Sequence, residues 1–135
     1  MATGEMFRIA DLAGRPIILE PMATWCTSCL AQQKAVYEAL TGVDPASVAF
    51  ILVEVDPSET AEGLASYRDR NGFTGTYVVA STEMARALAA EFGDQVLNPP
   101  ATPMILVGTD GKVPLTPFAK KSADDIRSLL DQHGA

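Results

Sequence analysis

Ile17-Ile18-Leu19-Glu20-Pro21-Met22-Ala23-Thr24-Trp25-Cys26-Thr27-Ser28-Cys29 is the stretch that decides the fold. It begins as an apolar, β-branched run, crosses a short loop, and ends on the only two cysteines of a 135-residue chain. With so few cysteines the protein is not a disulfide-stapled scaffold. The two thiols lie within one helical turn of each other, so they can close a small ring and reopen it. That suits a redox pair that exchanges electrons with other thiols. Two blander readings share the spacing. One is a static disulfide or a pair of inert core thiols. The other is half of a zinc site, which needs further ligands, and only His133 is left to supply one.

Outward from this stretch the pattern alternates strand and helix. Gly14-Arg15-Pro16 opens a strand predicted over 17–20, and Pro21 removes a backbone donor, which predicts an early end or a bulge. A helix is expected from Cys26 to about Leu40, with Leu30, Val36, Tyr37 and Leu40 as its apolar stripe and Thr41-Gly42 as its stop. Residues 48–55 are almost unbroken apolar and β-branched, the signature of a strand covered on both faces of a parallel sheet. A helix over 61–70 closes on Asn71-Gly72, and 76–80 reads as another strand. Ser81 or Thr82 caps a helix through Phe92, with Met84, Leu88 and Phe92 on one face and Gly93 as its end. Met104 begins a strand over 104–107. Thr109-Asp110-Gly111-Lys112 is a hairpin turn, and Pro114 makes the return strand from Val113 short or places it at an edge. Ser122-Ala123-Asp124-Asp125 is a capping box before a last helix with Ile126, Leu129 and Leu130 as its buried stripe. The order β-α-β-α-β-α-β-β-α predicts an α/β fold, a mixed sheet with helices on both faces.

Length fits one domain, residues 1–135, with a real core, and a 47% hydrophobic composition excludes a disordered chain. Seventeen acidic residues face ten basic ones, a formal charge of −7, which argues against nucleic acid as the main partner. No apolar stretch is long enough to span a bilayer. Met1-Ala2-Thr3-Gly4-Glu5 has no basic-then-apolar signal pattern, so the chain is either cytosolic or a domain whose export segment was removed.

Several segments together carry a family resemblance. They are Asp11-Leu12-Ala13-Gly14-Arg15-Pro16, then Met22-Ala23-Thr24-Trp25-Cys26-Thr27-Ser28-Cys29, then Val53-Glu54-Val55-Asp56, Ala101-Thr102-Pro103 and Thr109-Asp110-Gly111-Lys112. Over about residues 8 to 133 the chain resembles the thioredoxin superfamily and, within it, the TlpA-like thiol-disulfide oxidoreductases. C-x-x-C alone is only moderately specific. Trp25 before it and Thr102-Pro103 before a late strand make the combination highly specific.

The resemblance implies a thioredoxin fold and a role for each matched residue. Cys26 is the attacking thiol, expected exposed at a helix N-terminus, where free N–H groups and the dipole favour a thiolate. Cys29, one turn in, resolves the mixed disulfide. Thr27 and Ser28 help set the reduction potential, and where a proline would remove a backbone N–H near Cys26 they keep it. Pro103 is expected to follow a cis bond and face the cysteines, leaving the Thr102 backbone free to pair with an extended substrate. Glu20 stands six residues before Cys26, where thioredoxins keep a buried aspartate. It is a candidate proton acceptor if buried, and a solvated strand end otherwise. Trp25 forms a rim around Cys26 that a partner can meet. Pro99 and Pro100 stiffen the approach to the late strand. Gln32 stands where some reductases of cytochrome c maturation carry an acid, a departure that argues against that role. Met22 reads as packing and His133 as a capping or packing residue.

The expected activity is dithiol–disulfide exchange with protein thiols and disulfides, fed by a thiol electron donor and running as a reductase. It needs no organic cofactor, because the cysteines are the redox centre. The rival reading is a copper chaperone or assembly factor using Cys26 and Cys29 as soft Cu(I) ligands, which the single histidine disfavours. A peroxidase of the same superfamily would need an arginine and a cysteine setting that this sequence lacks. A monomer is expected. The resemblance implies an extracytoplasmic, periplasmic setting, with any membrane anchor lying outside this chain.

Overall fold

The computed structural model describes residues 15–44, 47–108 and 121–132. The predicted turn at Thr109-Asp110-Gly111-Lys112, the return strand at Val113, the opening Asp11-Leu12-Ala13-Gly14 and His133 lie outside the described residues.

Among the described residues four strands form one sheet: β1 (Ile17–Met22), β2 (Ala49–Glu54), β3 (Thr76–Val79) and β4 (Ile105–Val107). Their order is β3-β2-β1-β4, with β1, β2 and β3 parallel and β4 antiparallel to β1. The helices are α1 (Thr27–Ala39), α2 (Ala61–Asn71), α3 (Thr82–Phe92) and α4 (Ala123–Gln132). Two short 3-10 turns, Asp94–Leu97 and Pro99–Ala101, lie between α3 and β4.

Strand alternation sorts the core into two layers. Ile18, Met22, Phe50, Leu52, Tyr77 and Leu106 point to the face covered by α1, α2 and α4, whose Val36, Leu64, Ile126 and Leu130 meet them. Ile17, Leu19, Ile51, Val53, Val78 and Ile105 point the other way, against Leu88 of α3 and Val96 of the first 3-10 turn. Helices therefore cover both faces. That is why β2 is buried at every position and reads in sequence as a continuous apolar run.

Pro21 does not shorten β1, contrary to expectation. The strand continues in register, Pro21 beside Val53 and Met22 beside Glu54. Pro16 and Met22 accept bonds from β2 through their carbonyls, so the even positions of β1 face β2 and the odd positions face β4. The β4 pairing runs only from Ile17 to Leu19. The donor that Pro21 lacks thus points where the neighbouring strand has already ended.

The helix ends follow the local chemistry. Ser81 Oγ accepts from the Met84 amide, Thr60 Oγ1 accepts from the Gly63 amide, and Ser122 and Asp125 cap each other's backbone N–H reciprocally. Gly72 closes α2 at φ +68°, a left-handed conformation suited to glycine. The face of α1 departs from the predicted stripe. Its buried residues are Cys29, Gln32, Gln33, Val36 and Ala39, while Leu30, Tyr37 and Leu40 pack only partly buried. Both glutamines are tolerated inside because their amides are bonded. Gln32 Nε2 donates to the Lys121 carbonyl (3.0 Å) and its Oε1 accepts the Lys121 N–H (2.6 Å). Gln33 Oε1 accepts from Tyr77 (2.6 Å) and its Nε2 donates to Tyr67 (3.3 Å). Among the described residues no helix is long and apolar enough to cross a membrane.

Candidate active site

β1 and β2 run side by side and end together, Met22 opposite Glu54. The chain leaves β1, makes a tight turn closed by the Cys26 N–H on the Ala23 carbonyl (3.1 Å), and enters α1. Cys26 is the N-cap of α1 and is joined to Cys29 by a disulfide, with Cα atoms 5.2 Å apart. Cys26 Sγ accepts the Cys29 backbone N–H at 3.1 Å, and Ser28 Oγ lies 3.3 Å from it. The helix terminus thus supplies donors to the first sulfur. Pro99's carbonyl oxygen lies 3.3 Å from Cys29 Sγ, where it can accept the S–H of the reduced form.

Two expectations need correction. Cys26 is not exposed in this oxidised form: it retains 2% of its accessible surface and Cys29 1%. As N-cap, its sulfur turns back toward Cys29 and into the layer that holds Met22 and Met104, and the turn Pro99–Ala101 lies against α1. The bond before Pro103 is not cis, for among the described residues every peptide bond is trans. Thr102 instead takes the left-handed conformation, φ 49° and ψ 54°, and this redirects the chain from the 3-10 turn toward β4. Such a conformation costs a β-branched residue about 1–2 kcal/mol. Thr102 and Pro103 are both buried.

Trp25 is 59% exposed, and its Nε1 donates to Asp56 Oδ2 at 2.8 Å. Glu20 is 1% exposed and shares the sheet face of Ile18 and Met22, the layer that also contains both cysteines. Neither of its carboxylate oxygens has a hydrogen-bond partner. Burial holds its pKa well above the usual carboxylate value, with Gln33 and the Lys121 charge pulling the other way. Burial likewise lowers the pKa of Lys121.

Sequence reasoning missed a second buried carboxylate. Glu54, fully buried at the end of β2, accepts the Asp56 N–H (2.9 Å) and the Thr24 N–H (3.0 Å). Desolvation raises its pKa to about 7 against those two bonds, and Glu59 and Asp56 add to the rise. Glu59 Oε2 accepts from Thr24 Oγ1 at 2.6 Å. The signal was present: Ile51-Leu52-Val53-Glu54 repeats the pattern of Ile17-Ile18-Leu19-Glu20, an apolar run ending in an acid. Among the described residues no group of three or more His, Cys, Asp or Glu side chains is placed to hold a metal ion.

The strand order, the parallel β1–β2 pair and the helix rising from a C-x-x-C turn define the thioredoxin-like α/β fold, and solved structures share it. A thiol:disulfide interchange protein of the thioredoxin family from Chlorobium tepidum superposes with a TM-score of 0.71 at 18% identity, over 94% of this chain and 85% of that one. A secreted disulfide oxidoreductase from Mycobacterium tuberculosis, described as homologous to E. coli DsbE, gives 0.68 at 17% identity, over 93% and 87%. A thiol-disulfide isomerase from Corynebacterium glutamicum gives 0.71 at 17%, over 98% and 88%. No family model matches the sequence, and no curated protein matches it.

Proposed function

We propose that this chain is a single-domain thiol-disulfide oxidoreductase that reduces disulfides of partner proteins through Cys26 and Cys29. The observation that carries the reading is the first sulfur at the N-cap of α1, receiving the Cys29 N–H at 3.1 Å while bonded to Cys29. A group in that position is stabilised as a thiolate once the ring opens.

In the reduced protein the Cys26 thiolate attacks one sulfur of the partner's disulfide. The Cys26–partner bond forms, the partner's S–S bond breaks, and its second sulfur leaves as a thiolate that takes up a proton. Cys29 then loses its proton and attacks Cys26 Sγ. The intramolecular disulfide forms, the mixed disulfide breaks, and the partner leaves with two electrons more than it brought. Glu20 is the proposed acceptor of the Cys29 proton, since it is buried in the same layer as the two cysteines and burial makes its carboxylate more basic than usual. Trp25 offers the partner a flat apolar face beside Cys26; Thr102 and Pro103 are proposed as the substrate-pairing segment, and because both are buried they must be uncovered for a partner to reach them. A dithiol donor restores the reduced form. Because the oxidised sulfurs are covered, that donor must displace part of the rim to reach them. An extracytoplasmic setting is supported by the fold shared with a secreted oxidoreductase.

The test is reduction of a protein disulfide, such as that of insulin, with dithiothreitol as donor. Catalysis is expected from the intact protein and none from Cys26→Ser. Cys29→Ser should accumulate a mixed disulfide with the partner. Full activity of Cys26→Ser refutes the assignment.

A further inference from the structure

The turn that delivers Cys26 is held from the side by three carboxylates, all from the end of β2 and the loop after it. Glu54 bridges the Thr24 and Asp56 amides, Glu59 takes the Thr24 hydroxyl, and Asp56 takes the Trp25 indole N–H. Asp56 is itself braced by the Ser58 amide and hydroxyl, at 2.9 and 2.8 Å. Of the three, only Glu54 is buried, and it alone grips backbone on both sides.

We propose that Glu54 is a positioning residue that sets the redox balance of the Cys26–Cys29 pair: its carboxylate ties the backbone two residues before Cys26 to the β2 end and so holds Cys26 where it closes onto Cys29. This rests on the oxidoreductase reading above. Two effects act in one direction. A pinned turn keeps the sulfurs near each other and favours the ring. The negative charge of Glu54 opposes a thiolate on the neighbouring turn and so disfavours the open, reduced form. Charged Glu54 therefore makes the pair a stronger reductant.

Linkage requires the converse. If the Glu54 charge favours the disulfide, the disulfide must favour the charge, so Glu54 loses its proton more readily in the oxidised protein than in the reduced one. The titratable groups facing Glu54 are Asp56 and Glu59 from its own loop and Tyr67 from α2. Tyr67, with its pKa pushed up to about 12, stays neutral, and Asp56 is held below its ordinary value. On the β1 side Glu54 meets uncharged Met22 and the Thr24 amide.

The experiment follows the Thr24 and Asp56 backbone amide resonances of the whole chain by NMR from pH 5 to 9, once oxidised and once reduced. In the oxidised form both should titrate together with a midpoint near the Glu54 value of about 7. The reduced midpoint should lie higher, by about one pH unit if the coupling has the tenfold worth of one charge-assisted hydrogen bond. In parallel, equilibrium with glutathione is measured for the intact chain and Glu54→Gln. Two glutathione thiols supply two electrons and two protons to the disulfide and leave as oxidised glutathione. Above pH 8 the variant's equilibrium should favour the dithiol about tenfold more than the intact chain, and below pH 6 the two should converge. Equal midpoints in the two redox states overturn the proposal even if the variant does not fold. So does a variant equilibrium that matches the intact chain above pH 8. Neither measurement uses a protein substrate, so failure to reduce insulin would strike the activity assignment alone.

Discussion

Replacing Glu20 by leucine should make the oxidised protein more stable, and more so at pH 8 than at pH 5. In the folded chain this carboxyl is 1% exposed with neither oxygen bonded. An unsatisfied buried polar group costs about 1–3 kcal/mol, and burying a leucine side chain in its place adds about 1.5–3 kcal/mol, less whatever strain the bulkier side chain brings. A net gain of about 2–4 kcal/mol at pH 8 follows, or roughly 10 °C in Tm for a domain of this length. The pH dependence has a fixed sign. The folded pKa lies above the unfolded one, so the folded state binds the proton more tightly. Stability from this group is complete below the ordinary carboxylate pKa and is lost as pH rises through the folded value, at about 1.4 kcal/mol per pH unit. Glu54 titrates in the same sense, so the measured quantity is the difference between variant and parent, in which Glu54 cancels. Urea unfolding of both proteins at pH 5 and pH 8 gives that difference directly. A variant less stable than the parent at pH 8, or a difference that does not grow between the two pH values, refutes the reasoning. The same substitution should slow disulfide reduction, because it removes the proposed acceptor of the Cys29 proton.

Gln32→Leu should cost about 2–4 kcal/mol, since it strands the buried N–H and carbonyl of Lys121 that the amide now satisfies. Thermal unfolding checks it, and an unchanged Tm would contradict the clamp. Gly72→Ala should cost about 1–2 kcal/mol from backbone strain alone, because φ is +68° and a Cβ there meets nothing within 4 Å. Equilibrium unfolding measures it, and a neutral result would mean that α2 ends differently.

What the sequence determined is what neighbours along the chain can determine. Ile17-Ile18-Leu19 and Ala49-Phe50-Ile51-Leu52-Val53 could only be buried strands. Ser81 and the Ser122–Asp125 box marked helix starts, and Asn71-Gly72 marked a helix end, because caps act within a single turn. The cysteine pair was legible for the same reason, since its ring closes over three residues. The tertiary structure decided whatever depends on partners far along the chain. Gln32 and Gln33 became core residues because Lys121, Tyr67 and Tyr77 arrive from distant elements to bond them. Pro21 stayed within its strand because β4 stops short, and Thr102, expected to expose its backbone before a cis bond, is instead buried in a left-handed turn before a trans bond. Glu54 reached the Cys26 turn only because β1 and β2 end side by side, thirty residues apart in the chain and in hydrogen-bond contact in space. Periodicity and caps are local, whereas burial and hydrogen-bond satisfaction are properties of the packed whole.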